Sequence, residues 1–272
     1  MNTFFLDRLN SEPHALAFAG QSTPWPVALA DQSANPALDE ALHTHAAAAQ
    51  ALLYPVSAEL LATTGRPVDL FGFEPNPARL GAAAAASASV PGIALTQLGA
   101  LLDAAALGYN PAQAKPVAVL GHSQGVLAVH MVQAICEAGS IDAAAAKIDE
   151  ILAIATLIGV AGTRQARQLG LAARHGEATP MLSVKDITRA QVDALIERVD
   201  GARGPIAVAV TNSATHYVLS GYPEDLAAFG VEVAKEHKRQ AKLREEKVRG
   251  GRVFDPTLEY LDVTLPFHSP LM

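Results

Sequence analysis

The chain has 272 residues, a formal net charge of −7 and a single cysteine, with 50% hydrophobic and only 17% charged residues. That length and composition support a buried core and argue against disorder. The acidic balance argues against a nucleic-acid partner, which would need clustered Lys and Arg. The one dense basic stretch, Lys235 to Arg252, is interleaved with Glu236, Glu245 and Glu246 and reads as a solvated helix face. Cys136 can form neither an intrachain disulfide nor a multi-thiolate metal site, and its apolar neighbours predict a buried packing role. No basic segment leading into a long apolar one is visible near the N-terminus. The longest apolar run, Ile151 to Gly162, falls short of the ~20 residues that cross a bilayer. No membrane span is expected, and the cytoplasm is the expected compartment.

Alanine makes up roughly a fifth of the chain, which predicts helix-rich packing with small side chains. The run His14 to Ala19 predicts a buried strand, followed by Gly20-Gln21 and a turn at Pro24-Trp25-Pro26. Asn35-Pro36 opens a helix toward Leu61 with a kink at Pro55. Gly92 to Leu107 predicts another helix. Pro116 to Leu120 is a continuous apolar run, as in a strand buried on both faces. It stops at Gly121-His122-Ser123-Gln124-Gly125, and a helical run over Val126 to Ala138 follows, closed by Gly139. Ile141 to Leu171 is predominantly helical. From Pro180 the pattern becomes strand (Met181–Val184), helix (Thr188–Val199), strand (Ile206–Val210), strand (His216–Ser220), long charged helix (Pro223–Lys247) and strand (Thr257–Leu265). That β-α-β-β-α-β order predicts a ferredoxin-like subdomain over 180–265, inserted in an α/β domain of residues 1–179 and 266–272.

Residues 121–125 fit G-x-S-x-G between a strand and a helix, the pattern of a nucleophile elbow. Gly121 and Gly125 would let the flanking backbones approach closely, and the helix start would favour the negative charge that develops beside the Ser123 hydroxyl. A serine nucleophile needs a base. A solvated role suffices for His43, His45, His175 and His237. His130 lies too far down the helix, and His122 points away across the elbow. His268 sits in a Pro-bounded loop after the last strand and is the best of several candidates.

Together, Ala19-Gly20-Gln21, the 121–125 elbow, Asn212-Ser213 leading into Val218-Leu219-Ser220-Gly221, and Pro266-Phe267-His268-Ser269-Pro270-Leu271-Met272 resemble the ordered landmarks of the malonyl/acyl-CoA:acyl-carrier-protein transferases. The Pro180–Val184 segment and Gln124 are most similar to the acetyltransferase domain of type I fatty acid synthases. The resemblance implies a hydrolase-like parallel-sheet core with a nucleophile elbow and the inserted subdomain. It implies Ser123 as nucleophile, His268 as general base, and the backbone N–H groups of Gln21 and Gln124 as oxyanion hole. The substrates implied are acetyl-CoA and a phosphopantetheinyl acyl carrier protein, with no permanently bound cofactor and no metal. The implied partners are that carrier protein, other domains of a fatty acid synthase and the remainder of the acyltransferase domain. Neither nucleic acid nor membrane is among them.

Two departures from the family shape these expectations. Members that select malonyl-CoA carry an arginine on the long helix after the elbow helix, and the matching position here falls within Thr156–Val160, at Ile158. Arg164 and Arg167 are the nearby alternatives. A carboxylate buried beside Ile158 would be unpaired, at a cost of several kcal/mol, so an uncharged acyl group is expected. The sequence also stops four residues past His268, where the family's large domain resumes, so the C-terminal part of the core is expected to be absent from this chain. A serine hydrolase, with Asp255, Glu259 or Asp262 before His268, and a catalytically silent structural module are the rival readings.

Overall fold

The computed structural model describes residues 8–21, 23–52, 70–72, 85–171, 178–199, 202–245 and 254–272. The chain divides into two compact units, Met1–Arg164 and Gln165–Met272.

In the first unit, β1 (Ala15–Phe18) and β2 (Ala118–Gly121) pair in parallel, with Ala15 opposite Ala118 and Phe18 opposite Gly121. Helices α1 (Trp25–Ser33), α2 (Pro36–Leu52), α3 (Ala86–Ala106) and α4 (Val126–Ala138) pack around them. Helix α5 (Ala145–Gln168) runs across the division between the units.

Helix α3 is the core of this unit, with Ile93, Ala94, Leu95 and Leu98 fully buried. Its glycines let α1 come close. A Cβ on Gly92 would stand 2.5 Å from the Trp25 ring, and one on Gly99 would meet Gln32. Both pairs are spaced by seven residues, two helical turns, so they form one contact stripe. A further tie runs from α2 to α5, where His45 Nδ1 lies 2.6 Å from Asp149 Oδ1.

Several expectations for this unit need correction. Pro24-Trp25-Pro26 is not a turn but the start of α1, because a proline in the first helical turn has no N–H to lose and burial of Trp25 repays the ordering. Helix α3 begins at Ala86, passing through Pro91, since the tightly buried 86–90 segment outweighs the proline penalty of ~3 kcal/mol. At 21 residues α3 is also long and apolar enough to cross a membrane, unlike the run 151–162, yet most of it is buried among the other helices of the unit. Finally, neither strand is buried as expected: β1 alternates exposed and half-buried residues, and β2 is not covered on both faces. Leu120 is 60% exposed and the preceding Val117 71% exposed, because among the described residues β2 pairs only with β1.

Helix α4 buries Leu127, Ala128, Met131, Val132 and Ile135, which turns Cys136 outward. The expected packing role of that thiol is therefore wrong, for a reason of helical phase. The solvated role expected of His45 is wrong as well, since its side chain is largely buried against Asp149. His175, Pro55 and residues 246–252 of the basic stretch lie outside the described residues.

In the second unit, β3 (Met181–Lys185), α6 (Arg189–Ile196), β4 (Ala207–Ser213), β5 (His216–Ser220), α7 (Pro223–Glu245) and β6 (Thr257–Tyr260) follow in order. The sheet order is β4-β5-β3-β6 with every neighbour antiparallel. Period-2 alternation sends Leu182, Val184 and Leu219 to one face, where Val192 and Leu195 of α6 and Leu226 and Phe229 of α7 bury them. On the other face Met181 and Val218 meet Val263 and Phe267 of the closing segment. Thr188 starts α6 with a capping box to Gln191.

The buried carboxylate of Glu236 on α7 binds Arg239, Gln240 and, at 3.0 Å, Arg198 beyond α6. Those donors, Arg239 first, hold its pKa down to about 2. A group whose folded-state pKa is depressed stabilises above its ordinary pKa and loses that contribution as pH falls toward the depressed value. Glu236→Gln should therefore lower the melting temperature of this unit at pH 7, by about 1–2 kcal/mol of stability. Thermal melts across pH should show the gap from the parent closing as pH drops from about 4.5 toward 2.

Candidate functional site

Sequence and backbone converge at the turn after β2. The strand ends at Gly121, residues Ser123–Gly125 make one turn of 3-10 helix, and α4 begins at Val126. Ser123 has φ +53°, a left-handed conformation that a residue with a Cβ seldom adopts. The strain is held by contact. A Cβ on Gly121 would lie 2.6 Å from the Gly125 carbonyl, and one on Gly125 would run into the Phe18 carbonyl oxygen of β1. The His122 N–H donates to Phe18 O at 3.0 Å, which fastens the turn to the end of β1.

Loop 19–21, which continues β1, runs alongside. A Cβ on Gly20 would stand 2.7 Å from His122 O and 3.1 Å from Ser123 Cβ. Gln21 Nε2 donates to Gln124 Oε1, and Gln124 Nε2 donates to Val90 O of α3 at 2.5 Å. Gln97 Nε2 of α3 donates to Ala19 O at 2.7 Å, and Thr23 Oγ1 donates to Gly20 O at 2.6 Å. Gln21, Ser123 and Gln124 are thus neighbours around one turn, all half-buried, while His122 and His130 are exposed.

Ile158 lies on α5 of the first unit and is 45% exposed, with Ile154 and Leu157 beside it at 50% and 42%. One residue further, Gly159 presses on the Ala86 carbonyl at the start of α3, so this helix is seated against the same α3 that braces the loop.

His268 belongs to the second unit and is exposed, with φ +57°. Its loop is braced by Ser269 Oγ donating to Pro266 O at 2.7 Å and by Gln165 Nε2 donating to Leu271 O at 2.9 Å. On the sheet of that unit, His216 Nε2 is hydrogen-bonded to Ser183 Oγ at 3.0 Å and lies 3.4 Å from Asn212 Nδ2. Glu259, one of the acids a hydrolase would recruit, accepts from Lys185 instead. Among the described residues no group of three His, Cys, Asp or Glu is placed to hold a metal ion.

Sequence reasoning assigned Gln124 a role through its backbone and passed over Gln97. The signal was present in both cases. A glutamine inside the apolar run Ile93–Leu101 requires a hydrogen-bond partner, and here that partner is a loop carbonyl.

Residues 180–260 match the family model described as the fatty acid synthase central AT domain. The fatty acid synthase beta subunit hexB of Dothistroma septosporum is 27% identical over 164 residues, 56% of this chain and 8% of that protein. The matched stretch is therefore a small part of a much longer relative. Malonyl CoA-acyl carrier protein transacylase from Clostridium perfringens shares the fold at a TM-score of 0.51 and 17% identity, over 96% of this chain and 64% of that one. MCAT from Mycobacterium tuberculosis does so at 0.54 and 18%, over 95% and 66%. The chain thus spans a little under two thirds of these solved structures, and the likeness makes its fold α/β.

The strain at residue 123 has a measurable consequence. Ser123→Gly should raise stability by about 1 kcal/mol, since glycine adopts the left-handed turn without penalty. Chemical denaturation would register this as a higher midpoint at unchanged slope.

Proposed function

We propose that this chain, a fatty acid synthase acyltransferase-like domain, moves a short uncharged acyl group from coenzyme A to the phosphopantetheine thiol of an acyl carrier protein. Acetyl is the first choice, and the group is carried as an ester on Ser123. The observation that carries this reading is the serine itself. It is held in a left-handed turn between strand and helix, with loop 19–21 alongside. That arrangement is how a nucleophile elbow presents a hydroxyl out of the sheet.

The reaction then follows from charge and proton positions. His268 takes the Ser123 proton as Oγ attacks the thioester carbonyl carbon. The carbonyl oxygen becomes an oxyanion, stabilised by the N–H groups of Gln21 and Gln124, each such donor contributing roughly 3–4 kcal/mol. The carbon–sulfur bond breaks, and His268 returns its proton to the coenzyme A thiolate. In the second half the carrier thiol gives its proton to His268 and attacks the ester carbon. Ser123 Oγ leaves and is reprotonated. No cofactor enters either half.

Ile158 supports the choice of acyl group. Its side chain is apolar and flanked by Ile154 and Leu157, so at the position the resemblance implies it offers a malonyl carboxylate no cation. Malonyl transfer is the second reading, favoured by the fold shared with malonyl CoA-acyl carrier protein transacylase. The ferredoxin-like reading of residues 180–265 is supported by their β-α-β-β-α-β order and antiparallel sheet. In this proposal 1–179 with 266–272 form the hydrolase-like core. The partners are the carrier protein, other fatty acid synthase domains and the remainder of the acyltransferase domain, in the cytoplasm.

Exposure to a mixture of acetyl-, malonyl- and longer acyl-CoAs, read by mass spectrometry of the Ser123 peptide, tests the reading directly. An acetyl ester that transfers to carrier protein faster than it hydrolyses is the expected outcome. It should be lost in Ser123→Ala and slowed about 10²–10⁴-fold in His268→Ala. Faster malonyl loading would overturn the acyl assignment, and rapid release of free acetate without a carrier would favour a hydrolase. In the same assay Ile158→Arg should shift the malonyl-to-acetyl loading ratio upward by about tenfold, the effect of giving the carboxylate a charge-assisted partner.

A further inference from the structure

Two glutamine side chains tie the loop beside Ser123 to the most buried helix of the first unit. Gln97 Nε2 holds the Ala19 carbonyl at 2.7 Å. The Gln124 side chain accepts from Gln21 Nε2 and donates to the Val90 carbonyl at 2.5 Å. Val90 and Gln97 are seven residues apart on α3, so both anchors lie on the same helix face, two turns from each other. Residues 93–96 between them are buried, which makes α3 a rigid mount.

We propose that the side chains of Gln97 and Gln124 are positioning residues that clamp loop 19–21 to α3 and so set where the Gln21 N–H stands relative to Ser123. This rests on the acyl-enzyme reading, in which that N–H stabilises the oxyanion.

The chemistry explains why the residues are glutamines. Position 124 must accept from one partner and donate to another, which a carboxamide does and a carboxylate or alkyl chain does not. Position 97 must reach from a helix to a loop carbonyl with a neutral donor, because a carboxylate there would repel that carbonyl. Gln124 would thereby act twice, its N–H in the oxyanion hole and its side chain in the mount of the other donor. A loop held only by its own backbone would be free to shift, and displacements on the order of 1 Å at a reacting centre cost about 10²-fold in rate.

Gln97→Met, Gln97→Glu and Gln124→Met in the full chain test the proposal. Single-turnover acylation of Ser123 by acetyl-CoA should slow about 10- to 100-fold, with half-saturation by acetyl-CoA unchanged and melting temperatures near the parent's. The Gln97→Met/Gln124→Met double variant should lose less than the sum of the two single losses, because both ties act on one loop. Amide hydrogen exchange of residues 19–21, which needs no activity, should quicken in each variant. Parental acylation rates in the methionine variants would overturn the proposal while leaving the acyl-enzyme intact. Losses that appear in half-saturation or in melting temperature alone would do the same. Should the parent chain itself form no ester on Ser123, the functional reading fails, and unchanged exchange at 19–21 would then overturn the clamp independently.

Discussion

The first unit depends on one close approach, the backbone of the 123–125 turn lying against the end of β1. Gly125 sits so near the Phe18 carbonyl that no side chain fits, and the His122 N–H is bonded to that same oxygen. This contact holds Ser123 in a left-handed conformation that costs about 1–2 kcal/mol in isolation. It also brings the loop that continues β1 alongside the serine. The parallel pairing of β1 and β2 sets the register of that meeting, because Phe18 stands opposite Gly121. A slip of one residue would carry loop 19–21 past the turn and turn every side chain to the other face.

Around that contact the helices divide the work between packing and alignment. Helix α3 serves both. Its glycines admit Trp25 and Gln32 of α1 on one side, while the Gln97 side chain donates to the Ala19 carbonyl of the loop and the Val90 carbonyl accepts from the Gln124 side chain in the turn after β2. Stability and the proposed chemistry therefore share one element, and a helix long and apolar enough to cross a membrane is mostly buried inside the first unit. The second unit solves a different problem. Its sheet is buried on one face by α6 and α7 and meets the closing segment on the other, with the Glu236 cluster joining α7 to the residues after α6.

Much of this was legible along the chain. The tight turn after β2 was visible because glycines at positions 121 and 125, between an apolar run and a helical one, mark a strand-to-helix turn. The strand His216–Ser220 and the helix Val126–Ala138 were read to the residue, each being bounded by glycine. The readings that failed did so where local signals met packing. Pro24-Trp25-Pro26 carries turn chemistry, but burial of Trp25 makes it a helix start. His45 looked solvated by its polar neighbours and is instead paired with Asp149, 104 residues away in the chain.

The sequence by itself determined the α/β class and the order of elements after residue 180, since these follow from residue type, spacing and periodicity. Only the tertiary structure decided which side Cys136 faces, that β2 keeps an open edge among the described residues, and that Gln97 and Gln124 grip loop 19–21. The reason is physical. Periodicity is a local property of a few consecutive residues, whereas a hydrogen bond from α3 to a carbonyl 78 residues earlier exists only once the helices have packed.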